Sequence, residues 1–172
     1  SAGTGTVTYN GTGAQIVAPL TYYNLTINKA SGTASANATT SVGGNLTITS
    51  GGIDLNANTT VSGNISVAAA GLLYGDAITL TAGGNWSNSG SFLPGTGTVI
   101  FNGAGSQSIS SSTFNAFIVN KVSGTATLTG NITINNTLDI QAGTFDLSTY
   151  TANRSATGGQ LSIASGATLL AG

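Results

Sequence analysis

The sequence lacks cysteine, histidine, methionine and glutamate, and these absences exclude several classes of chemistry. Without histidine and cysteine, neither a Ser-His-Asp nor a Cys-His catalytic system can be assembled within the chain. The usual nitrogen and sulfur ligands of zinc are also missing, and no disulfide can form. We therefore expect a protein that is not an enzyme and that binds no cofactor or metal.

Charge is scarce as well. Only 4% of the 172 residues are charged and the net charge is −1, against about 25% charged residues in an ordinary globular domain. Such a chain has no field that attracts nucleic acid or an anionic membrane surface, and no apolar run reaches the ~18 to 20 residues of a spanning helix. We predict no nucleic-acid partner and no membrane insertion. Because the chain has no initiator methionine and no signal peptide, we expect a processed form or an excised piece.

The sequence does contain short apolar segments, separated by Gly, Asn or Ser. About 40% of residues are apolar, and Ile, Val, Leu and Thr recur in order, unlike in disordered chains. Within NLTI at 45–48 apolar and polar residues alternate, which is the pattern of a strand with one buried face. No segment has the period of an amphipathic helix, so we predict an all-β protein.

A short repeat indicates how the strands are arranged. The segments NLTI, NLTI, NISV and NWSN begin at residues 24, 45, 64 and 85, and two more short apolar segments follow each one. Three short strands per period of about 19 to 23 residues is typical of a parallel β-solenoid (a β-helix), whose coils stack ~4.8 Å apart. We predict about eight coils.

Stacking aligns equivalent residues of successive coils in columns. We expect an asparagine column at one corner, with each amide bonding the amides above and below, and two interior aliphatic columns beside it. Trp86 would continue the first interior column. The predicted structural ladder consists of Asn24, Asn45, Asn64 and Asn85, of Leu25, Leu46 and Ile65, and of Ile27, Ile48 and Val67.

A longer repeat divides the chain in two. GTGTVTYNGTGAQ at 3–15 returns as GTGTVIFNGAGSQ at 95–107, and over the gap-free shift of 92 residues 22 of 57 aligned pairs are identical. We predict a first module at 1–94 and a second, truncated copy at 95–172 that continues it. We expect the irregular stretch 148–159 to bulge from one coil as a loop that carries Arg154.

Few side chains are candidates for a site. We interpret Asp54, Asp139 and Asp146 as exposed or turn-capping residues, because a glycosidase or a Ca²⁺ site needs clustered carboxylates. Lys29 and Lys121 occupy the equivalent turns INKASGT and VNKVSGT, and we interpret both as solvated.

The aromatic residues gather at the start of each module. Tyr9 and Phe101 are interpreted as core, and so is Trp86. Tyr22 and Phe114 either pack at the end of a coil or form a platform on which a sugar stacks.

A lattice of small polar groups could bind ice or a crystalline polysaccharide. The outward positions of the Asn-led strands read Asn-Thr-Asn, Asn-Thr-Thr and Asn-Ser-Ala in successive coils. The third column therefore drifts, and Ile118 and Asp139 interrupt the pattern in the second module.

The pattern GTGTVxFNGxGxQ, then (Y/F)xNLxIN(K), then GN(L/I)T(I/V)xxGxxDL coils, resembles the repeats of very large secreted proteins of Bacteroidetes-type bacteria. Those chains are often exported by type IX secretion and include gliding and surface adhesins. More loosely, the pattern is similar to autotransporter passengers and filamentous-haemagglutinin-like β-helices. The resemblance implies an extracellular, cell-surface location and a stalk, filament or adhesive role.

We therefore expect a non-enzymatic extracellular structural protein, a segment of an adhesin stalk or filament. A carbohydrate- or ice-surface-binding solenoid module is the alternative. Because the first and last coils lack polar caps, the expected partners are copies of the chain or flanking repeats of a longer chain, stacked head to tail. Surface glycans are the other candidate ligand.

Overall fold

The chain folds as a β-solenoid. The computed structural model describes residues 3–154 and 159–172, and within these ranges every element is a strand and every strand pairing is parallel. The strands stack in about eight turns, which confirms the predicted all-β parallel solenoid. The described ranges contain no helix long and apolar enough to cross a membrane.

The strands are short where a corner interrupts them and long where two sides of a coil run together. In the described ranges they are β1 (Thr6–Tyr9), β2 (Gln15–Ile16), β3 (Thr21–Tyr22), β4 (Asn24–Ala36), β5 (Thr40–Val42), β6 (Leu46–Leu55), β7 (Thr59–Val61), β8 (Ile65–Tyr74), β9 (Thr79–Ala82), β10 (Trp86–Asn88), β11 (Ser91–Leu93), β12 (Thr98–Phe101), β13 (Gln107–Ile109), β14 (Ser112–Phe114), β15 (Ala116–Leu128), β16 (Ile132–Ile134), β17 (Leu138–Asp146), β18 (Ala152–Arg154), β19 (Leu161–Ile163) and β20 (Thr168–Leu170).

Successive coils pair along three sides, which we call A, B and C. In the first coil, side A is β1, side B is β2 and side C is β3. In the next coil β4 covers both A and B, with register irregularities between Ile27 and Thr33 where the chain turns the corner. The number of separate strands per coil is therefore not a uniform three.

The interior is filled by side chains that alternate with outward polar residues. Along side A, Leu25 pairs in register with Leu46, which pairs with Ile65, and Trp86 follows Ile65. Ile27, Ile48 and Val67 form the neighbouring column. All of these side chains are buried. Each coil thus removes its apolar face from water only by contact with the coils above and below it.

The 92-residue repeat is not a whole number of coils. Thr6 lies on side A, but its module equivalent Thr98 pairs with Thr79 on side C. After Thr6, side A recurs at residues 24, 46, 65 and 86, so residue 86 lies four coils further along the solenoid. The chain then passes along side B to side C before it reaches Thr98, which adds two further sides. Equivalent residues of the two modules therefore face directions that differ by a third of a turn about the axis.

The ladder of side C crosses the position where the repeat restarts. β12 follows that position, and it pairs with β9 before it and with β15 after it. The prediction of a loop at 148–159 is wrong for part of this stretch, because Ala152–Arg154 form β18, which pairs in register with β16. Arg154 is the last residue of that strand, and residues 155–158 lie outside the described residues.

Candidate functional site

Both lysines are buried, so the interpretation of Lys29 and Lys121 as solvated is wrong. Each is 1% exposed. Lys121 Nζ donates to the carbonyls of Gly103 (2.5 Å) and Gly105 (2.8 Å) and to Gln107 Oε1 (2.7 Å). The ammonium is therefore enclosed by oxygen atoms of the loop in the preceding coil, and no carboxylate of the described residues is bonded to it.

The first module repeats this arrangement. Lys29 Nζ donates to the Gly11 carbonyl (2.6 Å) and to Gln15 Oε1 (2.7 Å). We call each lysine with its loop, 10–15 or 102–107, a lysine clasp. In both clasps the glutamine Oε1 also accepts a backbone N–H of the loop, from Gly11 or from Gly103.

The serine and glycine that follow each lysine complete the clasp. Ser31 donates its hydroxyl to the Thr12 carbonyl, and Ser123 donates to the Ala104 carbonyl. Gly124 has φ +70°, and a Cβ there would lie 2.6 Å from the Gly105 carbonyl carbon. This explains why N-G-x-G-x-Q and K-x-S-G-T-A recur together, since the two segments bind each other.

Burial without a bonded carboxylate disfavours the charged form of Lys121. Desolvation lowers the pKa of Lys121 below its ordinary value, because a low-dielectric site disfavours the ammonium. The carbonyl dipoles provide the compensating interactions. The sequence contains a signal for these clasps. Lysine is the only cationic residue that recurs at the 92-residue shift, and each lysine follows a repeated glutamine by 14 residues.

The asparagine column forms, but through different bonds from those expected. Asn24 Oδ1 accepts the backbone N–H of Asn45, Asn45 Oδ1 that of Asn64, and Asn64 Oδ1 that of Asn85, each at 2.9 Å. Asn85 Oδ1 then accepts the Ser108 N–H at 2.9 Å. The side-chain oxygens thus accept backbone N–H groups at the corner. Such groups need a partner, because an unpaired backbone N–H that is removed from water costs free energy. The expected amide-to-amide bonding is not what joins these four residues.

The aspartates are placed differently from one another. Asp146 Oδ1 caps the Ser148 N–H at 2.8 Å, and Asp139 Oδ2 accepts from Gln141 at 2.8 Å. Asp54, the module equivalent of Asp146, is instead partly buried, and its Oδ1 is fully buried without a hydrogen bond. Asp76 lies beside it: desolvation and the Asp54 charge raise the Asp76 pKa. Among the described residues no three acidic, histidine or cysteine side chains group as metal ligands.

Neither proposed sugar platform is exposed. Tyr22 is 2% exposed and Phe114 is fully buried. The Tyr22 hydroxyl donates to the Ala18 carbonyl (2.7 Å) and lies 3.0 Å from the Tyr9 hydroxyl. Burial and the bond to Tyr9 raise the pKa of Tyr22 above its ordinary range. Phe101 and Trp86 are buried and Tyr9 is half-buried.

The strand ladder of side B breaks where the two modules meet. β11 pairs with the end of β8. Within the described ranges the next strand on this side, β14, pairs only with β16, and β14, β16 and β18 form a separate three-stranded sheet. Sides A and C continue through the same coils, because β10 pairs with β13 and β12 with β15.

Large aromatic rings lie beneath the break. The ring centroids of Trp86 and Phe92 lie 4.9 Å apart, those of Trp86 and Phe114 5.3 Å, and those of Phe92 and Phe114 5.8 Å. Trp86 and Phe92 pack edge to face, and Phe114 is tilted against both. These rings fill the interior of the solenoid at the coils where β11 and β14 do not pair.

The break leaves an open groove of about 420 Å³ on side B, which we call the junction groove. Ser112 Oγ lies within it, accepting from Trp86 Nε1 (2.8 Å) and Asn88 Nδ2 (3.0 Å) and donating to the Ser111 carbonyl (2.6 Å). The bonds from Trp86 and Asn88 join β14 to β10, the side A strand of the preceding coil. The groove is lined by Asn88, Gly90, Ser91, Phe92, Leu93, Ser111, Ser112, Thr113, Asn131 and Thr133.

Comparison with known proteins adds no assignment to this geometry. No protein-family model, curated protein or solved structure matches the sequence.

Proposed function

We propose that the chain is a non-enzymatic structural segment of an extracellular adhesin stalk or filament, located at the surface of a bacterial cell. The proposal is supported by a core made of stacked coils and by the lack of clustered catalytic groups in the described ranges. The resemblance to secreted Bacteroidetes-type repeats supports the location. In this role the backbone ladders and the interior columns carry mechanical load along the rod.

The observation on which this proposal mainly rests is the exposure of core positions in the end coils. Val7 is 46% exposed, whereas Leu25, its partner in the next coil, is 1% exposed. At the other end Leu161 is 50% exposed and its partner Leu138 is 4% exposed. Each end therefore presents apolar positions that another coil of the same kind would cover.

Each end also leaves strand edges unpaired. Among the described residues, β1 pairs only with β4, and β20 pairs only with β17. An open parallel edge is a template for a further strand. We infer that a coil of the same kind stacks there, supplied by a second copy or by flanking repeats of a longer chain. Because head-to-tail stacking is heterologous, copies of the chain would form an open filament.

Negative-stain electron microscopy of the purified chain tests this proposal. We expect rods whose lengths are multiples of one ~40 Å unit, the height of about eight coils at ~4.8 Å each. Val7→Lys introduces a charge into the end face and should leave single units. Val122→Lys is the matched control, because Val122 is 86% exposed away from the ends. Single dispersed units of the unmodified chain would contradict self-stacking and leave flanking repeats as the partner.

The alternative function, binding to an ice surface, has no observation in its favour. The outward column of side C reads Ser41, Thr60 and Thr81 and then changes to Ile100 and Ile118. A flat lattice needs one repeated polar face. Carbohydrate binding is different, because the uncharged, hydroxyl-lined junction groove favours it.

A further inference from the structure

The junction groove has the chemistry of a binding site for an uncharged polar ligand. None of its lining residues is charged, so it offers no ion pair to a phosphate, a carboxylate or an amine. Its polar side chains are alcohols and carboxamides, which both donate and accept hydrogen bonds. A ligand that matches them carries many hydroxyl groups and no net charge.

Several of these alcohols have no partner within the protein. Ser112 is saturated by its three hydrogen bonds. In contrast, the hydroxyls of Ser91, Ser111, Thr113 and Thr133 make no hydrogen bond to the described residues, although all four line the same groove. They are therefore available to a ligand along both walls of the break.

The groove also has an apolar contact surface. Leu93 is 49% exposed, and Phe92 beneath it is 7% exposed. A hydroxyl-rich wall beside a small apolar surface fits a sugar ring, which presents hydroxyls at its edge and C–H groups on its faces. The volume of about 420 Å³ falls in the ~300 to 1,000 Å³ range of small-molecule sites.

A peptide strand fits the break less well. To insert between β11 and β14, a strand would need ~4.8 Å on each side, or about 9.6 Å in all, whereas Cα atoms of these two strands lie within 8 Å of each other. The break is thus too narrow to be filled by a strand, although its outer groove is open.

We propose that the junction groove binds a neutral oligosaccharide of a few sugar units. The free hydroxyls of Thr113 and Thr133 bond its hydroxyl groups, and Leu93 contacts a ring face. This site is independent of the end-to-end stacking proposed above, since it lies on side B between the two modules. It adds glycan recognition to a structural segment.

A glycan array tests the proposal with the full chain. The probes are immobilised neutral oligosaccharides of glucose, mannose, galactose and N-acetylglucosamine, with sialylated and sulfated glycans as charged probes. We expect binding to at least one neutral probe. The double variant Thr113→Val and Thr133→Val, which keeps the β-branched shape, should weaken that binding about tenfold through two lost hydrogen bonds.

Thr60→Val is the matched control, because Thr60 is an outward strand residue on side C. It should bind the neutral probe as the unmodified chain does, and all variants should keep the same melting temperature. The proposal is overturned by no neutral binding at millimolar concentration, by binding to charged probes alone, or by equal loss in the Thr60 control. A peptide library that binds where the glycans do not would also overturn it.

Discussion

At the scale of single residues, the lysine clasp departs furthest from the rule that lysine lies in solvent. A buried ammonium is tolerated because loop carbonyls and a glutamine oxygen surround it. The same oxygens would be left without donors if the ammonium were removed. A clasp therefore joins a glycine-rich loop to the next coil. The loop oxygens need the lysine as a hydrogen-bond donor, and the buried ammonium needs these oxygens as acceptors.

Lys121→Met should destabilise the protein by about 2 kcal/mol or more, because buried acceptors that lose their donor cost about 1–3 kcal/mol each, offset in part by no longer burying a charge. Urea denaturation measures the free energy of unfolding. Lys29→Met should cost less, since Lys29 donates to two acceptors and Lys121 to three. Val122→Met controls for substitution at a neighbouring exposed position, and equal stability of Lys121→Met and the unmodified chain would contradict the clasp.

At the scale of elements, the corners between strands decide where each coil begins. The strands of side A start just after the asparagine column, at Leu46, Ile65 and Trp86. There the side-chain oxygen of one coil accepts the backbone N–H of the next. The column therefore sets the register of successive coils from outside, while the aliphatic columns set it from inside.

Asn64→Ala should lower the free energy of unfolding by about 1 kcal/mol, because the Asn85 N–H loses its acceptor and an ordinary hydrogen bond contributes about 0.5–1.5 kcal/mol. Asn64→Asp is the control, since it keeps an oxygen at the accepting position. Thermal unfolding followed by circular dichroism compares the two variants. A loss of the same size in both would indicate that the accepting oxygen is not what matters.

At the scale of the whole molecule, the second module is related to the first by a translation along the solenoid axis and a rotation of a third of a turn about it. Lys29 lies at the corner of sides A and B, and Lys121 lies at the corner of sides C and A. Features that the sequence repeats are therefore distributed around the rod. This arrangement disfavours a single flat binding face.

Spin labels test this rotation, and the lack of native cysteine makes site-specific labelling simple. Cysteines at Thr81 and Ile118, two coils apart on side C, should give Cα atoms about 10 Å apart and strong dipolar broadening. The reference pair is Thr26 and Ser66, two coils apart on side A within the first module. Broadening in the reference pair alone would mean that the modules are related without the rotation.

The sequence by itself determined the kind of structure. Alternation in segments such as NLTI specifies strands with one buried face, and a period of about 20 residues specifies coils that pair with similar neighbours. These signals are local and are repeated, so they could be read without knowing the fold. The interior columns at Leu25, Leu46 and Ile65 follow from them directly.

Only the tertiary structure decided where the polar residues go and how the two modules are oriented. Lys121 is buried because a loop 14 to 18 residues earlier turns its carbonyls inward, which no local pattern indicates. The third-of-a-turn rotation depends on the summed lengths of corners and sides over 92 residues. The junction groove lies over Trp86, Phe92 and Phe114, whose rings come together only in the folded chain, and no motif in the sequence marks the break in the ladder of side B.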